Sequence, residues 1–202
     1  MIGLTIGTGD WKGVAERSAA QMQKMTGIEC HVISKVDKDL VHPSWHKLNL
    51  LRDHAGESLL IFDADIWCQK RWNPASFLSR GIAMAPELQN AAIAKETALY
   101  GLPAGKYYNA GLIICDSRSR EVFHEAKKLH PHYGTWLEQT ALNRVLMELK
   151  TPITELPLTY NHLVSIDVEM ERLKQLHSTN LHFAGRKTVA QLHAVFDGLA
   201  TD

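Results

Sequence analysis

An open α/β sheet is the fold this chain of 202 residues predicts, and three features predict it. Short apolar, partly β-branched runs alternate with helix-spaced segments through the first half. The most apolar of these runs ends on two carboxylates, and ligands bind at the carboxyl edge of the strands in such sheets. Later elements are shorter and the alternation lapses, which predicts a mixed second half.

Residues 1–8, MIGLTIGT, run from a β-branched strand into a glycine-flanked loop. Asp10 is placed to cap a helix over 11–25, which Gly27 ends. Residues 28–34 alternate as a second strand. Pro43 and Ser44 precede a helical stretch that continues through Arg52. The run 59–62 is a third strand, 81–85 a fourth, and 107–115 a fifth with an Asn-Ala-Gly break near its beginning. Helical spacing returns over 117–129 and 135–149. The tail carries two short segments, ITELP and NLHFAG, and then a helix over 188–199. These elements describe one domain over 1–202, Rossmann-like in its N-terminal half, with a mixed central sheet flanked by helices. No repeat or low-complexity tract interrupts it.

Composition excludes several function classes. With 22 basic and 22 acidic side chains the formal charge is zero, and a nucleic-acid binder usually carries a basic excess. Cys30, Cys68 and Cys115 are too few and too dispersed for a disulfide framework or a CxxC clip, which predicts reduced, mostly buried thiols in a cytoplasmic protein. No basic stretch precedes the first apolar residues, so no signal peptide is expected. No apolar run approaches the ~18–20 residues of a transmembrane segment.

The chemistry concentrates in SLLIFDADIW, residues 58–67. If strand geometry continues past Phe62, Asp63 and Asp65 project from one face, because residues i and i+2 of a strand do. Two carboxylates side by side at a buried strand end repel each other, and a bound cation is the simplest remedy. Oxygen ligands of this kind suit Mg²⁺ or Mn²⁺ held together with a phosphate. The alternative is a strand end where Asp63 caps a turn and Asp65 meets a lysine. Haloacid dehalogenase-like phosphatases also carry DxD after an apolar strand. Their pattern continues with Thr or Val and belongs to the first strand, whereas Ile66 and Trp67 follow here and at least two strands precede.

Three downstream segments, taken with the DxD, resemble family 8 glycosyltransferases of the GT-A fold, the group of glycogenin and bacterial galactosyltransferases. YYNAGLIIC from Tyr107 is similar to the family's FNAG segment, WLEQTALN from Trp136 to its DQxxLN helix start, and LHFAGRK from Leu181 to its HFxG…K segment. LPLTYN at 156–161 falls between the last two, and the order along the chain matches. The resemblance implies a transferase that moves a sugar from a nucleotide-diphosphate donor, UDP-linked by analogy, to an acceptor hydroxyl on a glycan, lipid or protein, with retention of configuration. It implies Mn²⁺ or Mg²⁺ held by Asp63, Asp65 and His182.

For the donor, the resemblance points to Thr8 near the base and ribose, Lys47 and Ala64 beside the metal, and Gly185, Arg186 and Lys187 on the diphosphate. Lys187 falls one residue short of the family's usual lysine. Asn109 offers an amide to sugar hydroxyls, and the small Ala110 and Gly111 leave space for a pyranose. Glu138 and Gln139 open a helix where relatives place their donor-contacting pair. Glu138 stands for the usual Asp, and Thr140 for an acidic residue many relatives carry. Glu138 is otherwise a favourable first-turn acid. Trp11, Trp67, Trp72 and Trp136 could stack on base or sugar, although packing is the commoner fate of tryptophan. A non-catalytic nucleotide-sugar or glycan-binding module on the same fold is the rival reading.

Overall fold

The computed structural model describes residues 1–103, 105–130, 137–184 and 187–201. The chain opens with strand β1 (Ile2–Ile6), helix α1 (Lys12–Thr26) and strand β2 (Cys30–Ile33). A 3-10 segment, Pro43–Asn49, leads into the short helix α2 (Leu50–Asp53). Strands β3 (Leu59–Phe62), β4 (Ile66–Cys68) and β5 (Ile82–Pro86) follow, then helix α3 (Ala91–Leu99) and the long strand β6 (Tyr108–Cys115). Helices α4 (Arg120–Lys128) and α5 (Glu138–Glu148) precede strands β7 (Thr154–Glu155) and β8 (His162–Leu163). Helix α6 (Met170–Gln175), strand β9 (Asn180–His182) and helix α7 (Val189–Ala200) complete the chain.

Among the described residues the strands form two sheets. The larger has the order β2-β1-β3-β6-β5-β7 and the smaller the order β4-β9-β8. Strand β1 pairs parallel with both β2 and β3, which is the Rossmann-like half. Strand β6 then runs antiparallel between β3 and β5, making the sheet mixed as expected. The chain moves from β1 outward to β2 and then returns to β3 on β1's other side. The carboxyl ends of β1 and β3 therefore flank a switch point, where a crevice opens.

Strand β3 shows why the run LLIF reads as the most buried part of the chain. Lying between β1 and β6, it is covered on both faces. Leu59 and Ile61 join the core beneath α4 and α5, while Leu60 and Phe62 join the core on the opposite face with Met22 of α1. Each of these side chains is at most 1% exposed, and burying one contributes about 1.5–3 kcal/mol. A third core, with Trp67, Phe183 and Phe196, joins the smaller sheet to α7.

Local differences from expectation have local causes. Asp10 lies within a 3-10 turn, Gly9–Trp11, and makes no capping bond, so α1 starts one residue late. Gly27 does end α1, in the left-handed conformation at φ 72°. The stretch expected as one helix from Pro43 is mostly 3-10, opened by the His42 ring accepting from the Ser44 amide. Strands β4 and β8 and helices α3 and α6 were not expected; all are short, and α3 and α6 lie in stretches whose apolar pattern is weak.

Candidate functional site

The DxD pair does not extend β3. Asp63 keeps the last pairing of the larger sheet, donating its amide to the Gly111 carbonyl at 2.8 Å. The chain then turns through Ala64 and Asp65, and the Ile66 amide returns to the Asp63 carbonyl at 3.1 Å. At this turn the backbone leaves the first sheet and enters β4 of the second. The two carboxylates therefore meet across a turn that joins two sheets rather than by strand alternation.

Pairing in the second sheet supplies the third group. Strand β9 runs antiparallel to β4 with His182 opposite Ile66, and the Phe183 amide donates to the Asp65 carbonyl at 3.1 Å. This brings the imidazole to the aspartates. His182 Nε2 lies 3.4 Å from Asp65 Oδ1 and 3.7 Å from Asp63 Oδ2. One ligand atom from each of the three residues fits within a 4.8 Å cluster. The HFAG histidine and the DxD pair, distant in sequence, thus share one site.

Two lysines flank the cluster. Lys47 Nζ bonds Asp63 Oδ1 at 2.6 Å, Glu138 Oε1 at 2.8 Å and the Ala110 carbonyl at 3.1 Å. An ammonium has three hydrogens, so Lys47 spends all of them on protein oxygens beneath the cleft. Burial alone lowers a lysine pKa, but Asp63 and Glu138 outweigh it and hold Lys47 above its ordinary value. Lys187 pairs with Asp65 Oδ2 and stands 5.8 Å from the centre of the Trp11 ring, within cation–π range. Asp65 would be raised by burial, yet His182 and Lys187 hold its carboxyl well below the usual range. Asp63 is the more exposed of the pair, at 31% of its side chain against 11%. Burial and the Asp65 charge still leave it raised, against the pull of Lys47. For His182, the aspartates, Asp65 foremost, outweigh burial and raise its pKa.

Of these groups, Lys47, Asp63 and Asp65 line a cleft of about 410 Å³, of the size that holds small-molecule ligands, and His182 and Lys187 pack against the two aspartates. Thr8, Trp11, Ala64, Ala110, Glu138 and Gln139 also reach its walls. A larger hollow of about 750 Å³ lies elsewhere, bordered by Arg80, Lys106, Lys150 and Glu155, and none of the predicted site residues lines it. Size does not mark the site; the converging titratable groups do.

The remaining predicted residues fall into place around the cleft. Gln139 accepts from the Ala110 amide at 2.8 Å and donates to Glu87 at 3.2 Å. Asn109 is buried, with Oδ1 accepting from the Gly111 amide at 2.7 Å and Nδ2 donating to Glu87 at 2.6 Å. Its amide is thereby engaged inside the protein. The absent side chain of Gly111 makes space for His182 and not for a sugar: a Cβ there would lie 2.2 Å from His182 Cε1. Thr140, in place of an acid, bonds Glu96 and Tyr107 in the interior. Gly185, Arg186 and Trp136 lie outside the described residues. Among the other tryptophans only Trp11 lines the cleft, since Trp67 packs on Phe196 and Trp72 on Phe77 and Tyr160. Sequence reasoning missed Glu87, although it follows the apolar strand β5 as Asp63 follows β3.

No protein-family model matches the chain, and no curated protein sequence does either. Solved structures do. A glycosyltransferase involved in the glycosylation of the major capsid of PBCV-1 superposes with a TM-score of 0.67 at 13% identity, over 98% of this chain and 100% of that one. This chain has a glycosyltransferase fold. The bifunctional glycosyltransferase WbbM, in its apo form, matches all of this chain and 50% of its own, with a TM-score of 0.68 at 12% identity. Mouse xyloside xylosyltransferase 1 matches at 0.58 and 12% identity, over 90% of this chain and 96% of that one. At such identities the likeness is one of fold, a mixed central sheet flanked by helices.

Proposed function

We propose that the chain is a single-domain, metal-dependent glycosyltransferase that moves a sugar from a nucleotide-diphosphate donor, UDP-linked by the family 8 resemblance, to an acceptor hydroxyl. The observation that carries this reading is the convergence of Asp63, Asp65 and His182 at the switch point of a glycosyltransferase fold. Two carboxylates and one imidazole suit Mn²⁺, and with fewer nitrogen ligands Mg²⁺. When bound, such an ion supplies Lewis-acid stabilisation of the departing nucleotide diphosphate.

The protein's own groups do the rest. Asp65, kept ionised by His182 and Lys187, is a constant negative ligand. Lys47 holds Asp63 and Glu138 in position and neutralises one of their charges. Lys187 pairs with Asp65, which lines the cleft, and would pass from it to a phosphate oxygen; Arg186 and Gly185 precede it in the sequence. Trp11 and Thr8 form the wall nearest the end of β1, suited to a base and ribose. Glu138, Gln139 and Asn109 line or underlie the opposite wall, where the sugar would lie. By the family 8 resemblance, transfer would proceed from the front face with retention and without a protein-bound sugar intermediate. A cytoplasmic location accords with the three free thiols, and no helix among the described residues is long and apolar enough to cross a membrane.

The test is a donor panel of UDP-, GDP- and CDP-sugars with Mn²⁺, scored by nucleotide release. Release is expected with one donor class, suppressed by chelator and by Asp65→Asn, and the anomeric coupling of the transferred sugar reports retention. Donor bound with metal but never cleaved marks the binding-module reading instead. Release that persists in Asp65→Asn overturns the metal assignment.

A further inference from the structure

Four buried side chains form one hydrogen-bonded line from Glu87 to His182, and its directions can be fixed without seeing a hydrogen. Asn109 is anchored twice. Its Oδ1 receives the Gly111 backbone N–H at 2.7 Å, which only an oxygen can do, and its Nδ2 faces the Glu87 carboxylate at 2.6 Å, which only a donor should. Asn161 approaches Asn109 Oδ1 at 2.7 Å and must therefore present its NH₂ there. Its other atom, Oδ1, lies 3.0 Å from His182 Nδ1. An amide oxygen only accepts, so Nδ1 must carry hydrogen. Nε2 faces Asp63 and Asp65, and with a cation between them its lone pair would be the one turned to the cation.

We infer that Asn161, oriented by Asn109 and Glu87, is a positioning residue that fixes the His182 tautomer so that Nε2 is the ligand nitrogen. Metal-bound histidines commonly donate their second nitrogen to a fixed acceptor, which sets tautomer and ring direction. Here the acceptor is a neutral amide, itself held by a backbone N–H and a carboxylate. Gly111 acts twice, giving the amide hydrogen that orients Asn109 and leaving bare Cα against which the ring packs. Asn161 owes its place to the 3-10 turn Leu158–Tyr160, whose last bond is its own amide to the Leu158 carbonyl at 3.1 Å. The NAG and LPLTYN segments thus serve the HFAG histidine. Asn109, Asn161 and His182 are each at most 7% exposed, so water does not compete for these bonds.

The inference rests on the metal reading, but its test does not need the transferase to work. Long-range ¹H–¹⁵N correlations of the Mg²⁺-loaded protein are expected to place the His182 hydrogen on Nδ1 and leave Nε2 without one, against the Nε2–H preference of an unrestrained ring. Asn161→Leu is expected to move His182 toward Nε2–H and to weaken Mn²⁺ binding, read by EPR of the free ion, about 10–100-fold. Asn161→Asp keeps an acceptor at Nδ1 and is expected to preserve the tautomer, at a cost in stability because its second oxygen meets Asn109 Oδ1. An Nε2–H tautomer in the unaltered protein overturns the inference, as does unchanged tautomer and Mn²⁺ affinity in Asn161→Leu. Should that variant not fold, the unaltered protein's spectrum decides alone. The Nδ1–H tautomer with Mn²⁺ bound, but no nucleotide release from any donor, upholds this inference and removes the transferase.

Discussion

The two walls of the cleft handle their charges in opposite ways. The wall from the larger sheet holds Lys47, Asp63 and Glu138, one cation buried between two carboxylates. The wall from the smaller sheet presents Asp65 to the cleft with His182 and Lys187 packed against it, one carboxylate between two nitrogen bases. The first keeps a net negative charge and raises Asp63; the second is neutral or positive and depresses Asp65. Adjacent residues of one motif thus acquire different tasks from their neighbours. The first wall is built into the core, and its ion pairs are structural. The second wall rests on a smaller sheet, and on the proposed function its groups, with Asp63, would meet the ligand.

This contrast can be broken by separating activity from stability. Asp65→Asn should cost the largest effect, roughly 10³-fold or more in nucleotide release, since a metal ligand is worth several kcal/mol at the transition state. Its urea midpoint should move less than that of Lys47→Met, since the isosteric amide keeps an acceptor oxygen beside His182 and Lys187. Lys47→Met should do the reverse first, because it strands Asp63 and Glu138: about 3–5 kcal/mol of stability lost in urea unfolding. Adding Glu138→Gln to it should recover part of that loss. If Lys47→Met is as stable as the parent, the first wall is not structural and the comparison fails.

A smaller effect should follow from Lys187→Ala. Losing one charge-assisted contact to donor phosphate, about 1.5–3 kcal/mol, predicts a rise of ~10-fold or more in donor KM, and because Asp65 keeps His182 beside it the stability loss should be smaller than that of Lys47→Met. A stability loss like that of Lys47→Met would place both lysines in one structural class. The smallest effect lies behind the walls, where each sheet contributes a thiol. Burial pushes Cys30, in β2, and Cys68, in β4, from about 9 up to about 12. A raised acid pKa favours folding fully below the unfolded value and progressively less above it. Unfolding midpoints should therefore fall as pH rises from about 9 toward 12, and Cys30→Ser with Cys68→Ser should flatten that decline.

Legibility in the sequence followed the range of the interaction. The β3 run, the αL stop at Gly27 and the helix over α7 were readable because neighbouring residues decide them. Thr188 caps α7 through a box with Gln191, a four-residue pattern visible in the string. Short β4 and β8 left no such trace, since two or three residues carry no periodicity. Glu87 was readable in principle, as a carboxylate closing an apolar strand. Its partners Asn109 and Gln139 were singled out for sugar contacts, yet what they touch here is each other's neighbourhood.

By itself the sequence determined an α/β chain whose central strand delivers a carboxylate pair to the sheet edge, because alternation and burial are written locally. The order of the downstream segments also pointed to the histidine. Only tertiary structure decided how these groups meet. The turn at Asp63–Asp65 sends the chain into a second sheet, and β4–β9 pairing then sets His182 against Gly111, with a lysine on either side. Pairing between strands far apart in the chain depends on register and packing of the whole fold, and no local pattern encodes it.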